Sequence, residues 1–332
     1  MKISIFSICT PFCLLLSITS HAQQFYTDPF AHTFSIVARD PQTGEMGVAV
    51  QSHWFSVGSV VSWAEAGVGA IATQSFVNPA LGQEGLKLLR EGFPAQKVLD
   101  SLIGKDEGRD VRQFAVVDSK GRTAAWTGSK CIAEAGHITE ENFSVQANLM
   151  LNNKVWPAMA KAFKEMQGRL AEKLIAALEA GQAAGGDIRG KQSAAILVVK
   201  GTATGNLWED REIDLRVEDN PEPIKELKRL LQVYRAYEHM NAGDLATEKK
   251  DMPTAMREYS KAEMLFPENT EMKFWHAVTM VNNGMIRESL PLFKTVFEAD
   301  ANWVILIPRL RKAEQLTCSD DVELMILSQH KK

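Results

Sequence analysis

Three hydroxyl side chains stand at the outer ends of a β-hairpin that the sequence predicts over residues 32–52. Side chains alternate along a strand, so Thr33 and Ser35 share one face of the first strand, while Ser52 ends the second. The outer ends of an antiparallel pair are neighbours, which brings these hydroxyls together. Ser35 could act as a nucleophile if a base such as His32 took its proton. The alternative is that Ser35 is an ordinary strand hydroxyl.

A glycine-rich loop carries an acidic and a basic side chain two positions apart. Asp187 and Arg189 follow Gly185 and Gly186 and precede Gly190, so the backbone here is permissive and can approach a ligand closely. Arg189 could hold a ligand carboxylate through two parallel hydrogen bonds. The alternative is that Asp187 and Arg189 pair with each other and fix the loop to the hairpin.

Further polar side chains stand near the ends of predicted strands. Gln74 and Ser75 end one strand, and Asn148 lies in another. Their amide and hydroxyl groups could stabilise an oxyanion or bind a substrate amide. The predicted substrate-binding set is therefore Ser52, Gln74, Ser75, Asn148, Asp187 and Arg189.

Other catalytic chemistries have less support in the sequence. Cys131 and His137 share one predicted loop, but thiol–imidazole pairs in enzymes are seldom set by local spacing. The histidines are dispersed without metal-ligand spacing, and Gly67-Val68-Gly69 lacks the third glycine of a dinucleotide-binding loop. We therefore expect no metal and no cofactor. The formal net charge of −4 gives no reason to expect a nucleic-acid partner.

The first 22 residues have the pattern of a secretory signal peptide. Lys2 precedes a short apolar run, and Ser20-His21-Ala22 offers small residues at the two positions that a signal peptidase reads. We expect cleavage after Ala22 and an exported protein, either periplasmic or secreted. No other stretch is apolar enough to span a bilayer. Cleavage would leave Cys131 and Cys318, which we expect to be free thiols.

The elements that must position these residues belong to an α+β fold. Predicted strands come in hairpins and predicted helices come in blocks, which favours antiparallel sheets over a parallel βαβ arrangement. After the hairpin, strands are predicted over residues 60–64, 68–75, 112–117, 123–127, 143–151, 193–199 and 213–217. Helices are predicted to begin at Asn78-Pro79 and at Pro94, and one long helix is predicted over Val155–Ala180.

A helical region follows a break at Asp219-Asn220-Pro221-Glu222-Pro223, where two prolines prevent a strand from continuing. Its residue spacing matches the second helix of a tetratricopeptide repeat. The positions with this spacing are Ala255, Tyr259, Ala262 and Pro267, then Ser289, Phe293 and Val296 about 34 residues later. One or two repeats are too few to be stable alone, so we expect them to pack on the first domain or to be capped by a further helix.

Three segments together resemble the domain of unknown function 1028 family: the opening hairpin, Gly67–Ser75 and Gly185–Ala195. The family is similar in fold to the N-terminal-nucleophile (Ntn) hydrolases, which have two stacked sheets between helical layers. The resemblance therefore implies an Ntn-hydrolase-like αββα sandwich over residues 30–218. The all-α region over residues 222–318 resembles a module that often follows this domain and has been proposed to bind peptidoglycan.

The resemblance also gives Thr33 the place of the Ntn nucleophile. In Ntn hydrolases the nucleophile is the first residue of the first strand, and its own α-amine acts as the base because a free amine titrates near pH 8. Cleavage after Ala22 would leave Gln23–His32 ahead of Thr33, whose nitrogen would then be a non-basic amide. Either a second cleavage follows His32, or Thr33 is a β-branched strand residue. The sequence leaves both open.

These observations support two functional hypotheses. The first is an exported Ntn-hydrolase-like amidohydrolase with Thr33 as nucleophile, which cleaves an amide in a peptide, an acyl-amino acid or a cell-wall fragment. The alternative is a non-catalytic envelope module that recognises peptidoglycan or peptides through the glycine-rich loop and the helical repeats. The expected partners are a small peptide or peptidoglycan fragment and a protein bound by the repeats. A homo-oligomer is left open.

Overall fold

The computed structural model describes residues 30–330. The predicted signal peptide, residues 1–22, lies outside this part of the chain. Residues 23–29 also lie outside it; they begin the leader, which is the segment Gln23–His32 ahead of Thr33. Within it, hairpin-built sheets alternate with blocks of helices, and helices alone follow the last strand. This order confirms the predicted combination of antiparallel sheets with a C-terminal helical region.

The described strands form two sheets, and all neighbouring strands within each sheet are antiparallel. In chain order the strands are β1 (Phe30–Ala31), β2 (Thr33–Arg39), β3 (Met46–Ser52), β4 (Ser62–Glu65), β5 (Gly69–Phe76), β6 (Arg112–Asp118), β7 (Thr123–Thr127), β8 (Gly136–Glu140), β9 (Phe143–Ala147), β10 (Ser193–Val199) and β11 (Arg211–Val217). The first sheet has the order β1-β5-β6-β7, with β4 also paired to β5. The second sheet has the order β11-β10-β3-β2-β9-β8.

Most of the described helices cover the outer faces of these sheets or form the C-terminal region. They are α1 (Gly58–Val61), α2 (Ala80–Arg90), α3 (Ala95–Ile103), α4 (Val155–Glu165), α5 (Leu170–Ala183), α6 (Leu207–Asp210), α7 (Pro223–Glu248), α8 (Met252–Leu265), α9 (Thr270–Asn282), α10 (Ile286–Ala299), α11 (Asn302–Lys312) and α12 (Asp320–Leu327). A short 3₁₀ helix, Arg109–Val111, precedes β6.

The sheets stack face to face, and the β2–β3 hairpin lies at the centre of the second sheet. Its side chains alternate between two cores, as the sequence predicts. Phe34 and Ile36 pack against α4, α5 and α7, whereas Val37 and Val48 pack between the two sheets. Helices α2 and α3 cover the outer face of the first sheet. The result is four layers, helices–sheet–sheet–helices, with the hairpin in contact with two of the three interfaces.

The turn of this hairpin has the predicted chemistry. Asp40 Oδ1 accepts hydrogen bonds from the backbone N–H groups of Gln42 and Thr43, at 2.8 and 3.1 Å. Gly44 has a φ of 79°, a conformation that glycine adopts without the steric cost of a side chain. The register that this turn sets places Thr33 opposite Ser52 and Ser35 opposite Val50. The predicted neighbourhood of the hairpin's outer ends is therefore confirmed.

The prediction of one long helix over Val155–Ala180 was wrong. The chain forms α4 and α5 instead, and the break between them contains Gly168 with a φ of 130°. This conformation is strongly unfavourable for residues with a side chain, so the glycine permits a sharp change of direction. Both helices then pack against the same core on the second sheet. A continuous apolar stripe on either side of the glycine concealed the break.

Two shorter segments also differ from prediction. The strand predicted over residues 60–64 is divided between the single turn α1 and strand β4. Strand β8 was not predicted, and it pairs with β9 at the edge of the second sheet. Its residues are exposed or half-buried, so the sequence lacks the run of apolar residues by which a buried strand is recognised.

Helix α7 begins at the predicted domain boundary but belongs to both regions. Its first half places Ile224, Leu227 and Leu231 in the core on the second sheet. Its second half contributes Ala236 and Met240 to a separate core with α8. No linker separates the regions, because one continuous helix contributes to both cores. Among residues 30–330, no helix is both long enough and apolar enough to cross a bilayer.

Glu45 lies at the end of the central turn, near acidic and basic groups from three other segments. The pKa of Glu45 is raised to about 7, chiefly by burial and also by hydrogen bonding to Glu212 and by the charge of Glu212. The charge of Arg169 opposes this rise and the charge of Asp40 adds a smaller part of it. In an unfolded chain a glutamate titrates near about 4.3. Folding therefore favours the protonated form of Glu45.

We expect Glu45 to contribute a fall in the free energy of unfolding as the pH rises from about 4.3 to about 7, because this side chain binds more protons in the native state than in the unfolded state in this window. In Glu45→Gln the side chain cannot titrate, so this contribution should be absent and the free energy of unfolding should fall less, or rise more, with pH than in wild type. Urea unfolding at pH values from about 5 to about 8 would measure both slopes. The exposed Glu107→Gln is the control and should keep the wild-type slope. Equal slopes for Glu45→Gln and wild type would contradict the prediction.

Candidate functional site

The chain immediately before Thr33 is part of the fold. Strand β1 pairs with the end of β5, with Phe30 opposite Phe76 and Ala31 opposite Ser75. His32 follows and is only 3% exposed, and Thr33 then begins β2 with no exposed surface. While the leader is attached, the site is closed, because the leader itself covers the hydroxyl of Thr33.

The carbonyl oxygen of His32, in the peptide bond that precedes Thr33, accepts two side-chain hydrogen bonds. Ser52 Oγ donates at 2.6 Å and Arg189 Nη2 donates at 2.8 Å. Ser52 reaches this oxygen because the hairpin register places it opposite Thr33. One of the donors is a charged guanidinium, which strengthens its hydrogen bond. The two donors polarise this carbonyl group, and they would stabilise negative charge on its oxygen.

Asp187 holds the guanidinium of Arg189 in place. Oδ1 accepts from Arg189 Nε at 3.1 Å, and Oδ2 accepts from Arg189 Nη2 at 2.7 Å. Asp187 Oδ2 also accepts from the backbone N–H of His53, at 3.2 Å. Of the two interpretations of the loop, this geometry matches the one in which Asp187 and Arg189 pair with each other. The bidentate edge of Arg189 is used by Asp187, and Nη2 additionally reaches the His32 carbonyl.

The glycines before Asp187 give the loop its shape. Gly185 and Gly186 have φ values of 133° and 63°, both in the region that disfavours side chains. A Cβ on Gly185 would also lie 2.6 Å from Asn152 Nδ2. The chain then returns to pair Asp187 with Met150 in an isolated bridge. The acidic side chain is thereby carried under the hairpin end, where it is completely buried.

The Thr33 side chain points back toward the leader. Its Oγ1 donates to the carbonyl oxygen of Ala31 at 2.6 Å. The Thr33 carbonyl oxygen accepts from the Asn148 N–H at 3.1 Å and from Gln74 Nε2 at 3.2 Å. The carbonyl groups on either side of the Thr33 side chain, those of His32 and Thr33, are thus held by neighbouring segments. The hydroxyl therefore has a fixed position.

A buried network of side-chain amides lies between the sheets beneath Thr33. Gln113 Nε2 donates to the backbone carbonyls of Ala147 at 2.9 Å and Gly136 at 3.3 Å. Because a carbonyl can only accept, Gln113 must present its Oε1 on the other side. That oxygen accepts from Gln74 Nε2 at 2.5 Å and Asn148 Nδ2 at 2.8 Å. The direction of every bond in this part of the network is therefore set by two backbone groups.

The orientation of the Asn148 side-chain amide determines how His32 is held. Asn148 uses its Nδ2 as a donor, so its Oδ1 is the acceptor for His32 Nδ1 at 2.7 Å. The imidazole must therefore carry its proton on Nδ1. The ring also meets Phe76 edge to face, with centroids 5.8 Å apart. Burial lowers the pKa of His32 and Arg189 lowers it further, whereas the Asn148 hydrogen bond and Asp187 raise it. Burial dominates, which favours the neutral ring.

Ser35 occupies the centre of the network instead of its edge. Its Oγ donates to Gln74 Oε1 at 2.6 Å and accepts from Gln146 Nε2 at 2.6 Å. Gln146 Oε1 in turn accepts from Ser144 Oγ at 3.0 Å. The proton of Ser35 thus goes to an amide oxygen, and His32 bonds Asn148 instead. This arrangement fits a structural hydroxyl that joins the two sheets.

The remaining candidates surround the leader strand. Ser75 has a φ of 73° and a buried hydroxyl group beside the Cys131 thiol. Cys131 Sγ donates to the Arg112 carbonyl at 3.3 Å, and His137 Nδ1 instead bonds Thr127 Oγ1 at 2.8 Å. Burial raises the pKa of the Cys131 thiol, which disfavours a reactive thiolate. The structure gives Cys131 and His137 separate partners.

Sequence reasoning missed Gln113 and Gln146, which orient the other amides. The signal was weak, since Gln113 follows Arg112 and Gln146 shares its predicted strand with Ser144 and Asn148. Both are at most 1% exposed. Among residues 30–330, no group of three or more histidine, cysteine or acidic side chains is arranged to hold a metal ion. Cys131 and Cys318 are both free thiols.

Comparison with known proteins identifies the family. The family described as "Family of unknown function (DUF1028)" matches residues 33–227, which is more than half of the chain, and the chain therefore belongs to it. The match begins at Thr33 and ends within α7.

A solved structure from the same family is also similar. It is the crystal structure of protein SPO2555 from Silicibacter pomeroyi, at 32% sequence identity and a TM-score of 0.56. The alignment covers 61% of this chain and 85% of that one. No curated protein matches the chain.

We expect Gln113→Leu to destabilise the protein, because it removes the acceptor of Gln74 Nε2 and Asn148 Nδ2 and the side-chain donor to two backbone carbonyls. Each unmet group costs about 1–3 kcal/mol, so the free energy of unfolding should fall by about 3 kcal/mol or more. Chemical denaturation measures this change. Gln83→Leu, at an exposed site on α2, is the control and should change stability by less than about 0.5 kcal/mol. A Gln113→Leu variant as stable as this control would contradict the network.

Proposed function

We propose that this member of a family of unknown function is an exported amidohydrolase of the N-terminal-nucleophile type, with Thr33 as its nucleophile. The supporting observation is the peptide bond before Thr33, whose carbonyl oxygen accepts from Ser52 Oγ and Arg189 Nη2. Donors in this position would stabilise the oxyanion that forms when a nucleophile attacks the carbonyl carbon. The Thr33 hydroxyl belongs to the next residue along the chain.

The first reaction in this proposal is release of Thr33 from its leader. Thr33 Oγ1 attacks the carbonyl carbon of His32, and the hydroxyl proton passes to the Thr33 nitrogen as the C–N bond breaks. The product is an ester between His32 and Thr33 Oγ1. Water then hydrolyses this ester, which gives a carboxylate at His32 and restores the Thr33 hydroxyl with a free α-amine.

The released amine supplies the base that the closed state lacks. A free α-amine titrates near about pH 8, so it can accept the Thr33 hydroxyl proton at neutral pH. Substrate hydrolysis would repeat the first reaction on an external amide, with an acyl-enzyme at Thr33 Oγ1. Ser52 and Arg189 would serve the substrate carbonyl as they serve the carbonyl of His32. The amide belongs to a peptide, an acyl-amino acid or a cell-wall fragment.

Asp187 acts as a positioning residue in this scheme. It holds two nitrogens of Arg189 and the backbone of His53, so it fixes the donor without touching the carbonyl group. Export is proposed from the signal-like pattern of residues 1–22 alone.

A binding module for peptidoglycan or peptides is the competing proposal. It is favoured by the ten residues, Gln23–His32, that cleavage after Ala22 would leave ahead of Thr33, because the Thr33 nitrogen is not basic while they are attached. The helical region would serve as a tetratricopeptide-like arm, in which Gly243 packs directly on the ring of Tyr259. A chain that keeps its leader in an exporting host and binds purified sacculi would favour this proposal over the hydrolase.

We expect the purified wild-type protein to begin at Thr33, as read by intact mass and N-terminal sequencing. Thr33→Val keeps the shape of the side chain but removes the hydroxyl, so its leader should remain attached. Thr33→Ser retains a nucleophile and should release the leader. A circular dichroism spectrum equal to wild type would show that Thr33→Val is folded. Release of the leader from folded Thr33→Val would overturn the proposed nucleophile.

We expect Ser52→Ala to slow release of the leader about a hundredfold, since removal of one oxyanion donor costs about 10²–10³ in rate. The rate is followed by mass spectrometry after refolding of the full-length chain. Ser59→Ala is the matched control, because Ser59 Oγ also donates to a backbone carbonyl, that of Ser56, at an exposed site away from Thr33. Equal rates for the two serine variants would count against the role of Ser52.

A further inference from the structure

We propose that the groove now filled by Ala31 and His32 binds the acyl side of the substrate. Its substrates would be extended peptides in which a small residue precedes a residue with a flat side chain that carries an N–H donor. Histidine and asparagine have such side chains. The inference rests on the proposed function, because it treats the leader as a copy of the substrate already in place.

The backbone of the leader indicates a peptide as the occupant. Phe30 and Ala31 pair in register with Phe76 and Ser75, so the leader is held as an added strand on β5. Main-chain hydrogen bonds of this kind recognise any extended peptide, and the side-chain pockets decide which one binds. An occupant without a peptide backbone would leave this edge of β5 unpaired.

The position of Ala31 accepts only a small side chain. Ala31 has no exposed surface and belongs to the core between the two sheets, with Val50 and Val77 among the residues of that core. Interiors of this kind are close-packed, so additional methylene groups force neighbouring side chains to move. A leucine at the equivalent substrate position should therefore bind much more weakly than alanine.

The position of His32 accepts a flat donor. The backbone carbonyls of Gly136 and Ala147 orient Gln113, and Gln113 orients Asn148, so the pocket presents the acceptor Asn148 Oδ1. Asn148 cannot reverse its amide without losing its bond to Gln113. The edge-to-face contact with Phe76 suits a planar group.

Asparagine and aspartate form the sharpest comparison for this pocket. The two side chains have the same shape, but the amide carries a donor and the carboxylate carries acceptors only. An aspartate would place its oxygen against Asn148 Oδ1 in a buried site. Arg189 would attract the carboxylate, but Asp187 pairs with Arg189 and balances that charge.

The test uses full-length protein from an exporting host, shown by sequencing to begin at Thr33 and by native mass to be free of the leader. The substrates are the p-nitroanilides of acetyl-Ala-Asn, acetyl-Ala-Asp and acetyl-Leu-Asn. A site that hydrogen-bonds one substrate group rejects analogues that lack this group, because the buried polar atom of the site then has no partner. The kcat/KM for Ala-Asn should therefore exceed that for Ala-Asp at least tenfold. It should exceed that for Leu-Asn by a similar factor.

A variant at the acceptor provides the control. Asn148→Ala removes the group that distinguishes the first two substrates, so their kcat/KM ratio should fall to within about threefold of one. The Ala-to-Leu preference should persist, because it depends on the core around Ala31. If Asn148→Ala does not fold, the ranking of the three substrates by wild-type protein decides the question alone.

The outcomes separate this inference from the proposed function. Hydrolysis of all three anilides at similar rates overturns the inference and leaves the hydrolase proposal standing. Absence of hydrolysis by protein with a free Thr33 amine overturns the hydrolase proposal. In that case a thermal shift by acetyl-Ala-Asn-amide that exceeds the shift by acetyl-Ala-Asp-amide still supports the groove. The absence of both hydrolysis and a thermal shift overturns the inference, and a chain that never releases its leader overturns both proposals.

Discussion

The hydrogen bonds that Gln113 donates to the carbonyls of Gly136 and Ala147 are the constraint on which the rest of the site depends. Backbone carbonyls cannot reverse their polarity, so they fix the orientation of one side-chain amide and, through it, the orientations of its neighbours. An inverted amide would leave several buried groups unpaired, each at a cost of about 1–3 kcal/mol. A polar network between two sheets is stable only when all its members agree, which gives the site one arrangement instead of several.

That network also joins the two sheets at the point where the site lies. Gln74 and Gln113 come from the first sheet, while Ser35 and Asn148 come from the second sheet and the segment just beyond it. Along most of the hairpin the sheets meet through apolar side chains. Only near Thr33 does the interface become polar, because hydrogen bonds there must hold both the strand end and the leader. The change from an apolar to a polar interface along one hairpin locates the site within the fold.

The sequence was sufficient for the parts of the site that depend on local rules. Alternation and turn chemistry predicted that Thr33 and Ser52 would be neighbours, and the glycine-rich loop offered a pairing of Asp187 with Arg189 as one of two alternatives. The role of Gln113 could not be predicted in this way, because a polar residue within a strand is usually interpreted as facing solvent. Its burial depends on how a second sheet covers the first, which no local pattern specifies.

The donors to the His32 carbonyl are held by segments that do not belong to the leader. Ser52 is fixed by pairing of its strand on both sides, with Thr33 and with Ser193. Arg189 is fixed by Asp187, which is completely buried. In the proposed reaction, departure of the leader would therefore remove the occupant of the site and leave the donors where they are. An oxyanion site assembled in this way needs no rearrangement between self-cleavage and turnover, which is the condition under which preorganised donors contribute most to catalysis.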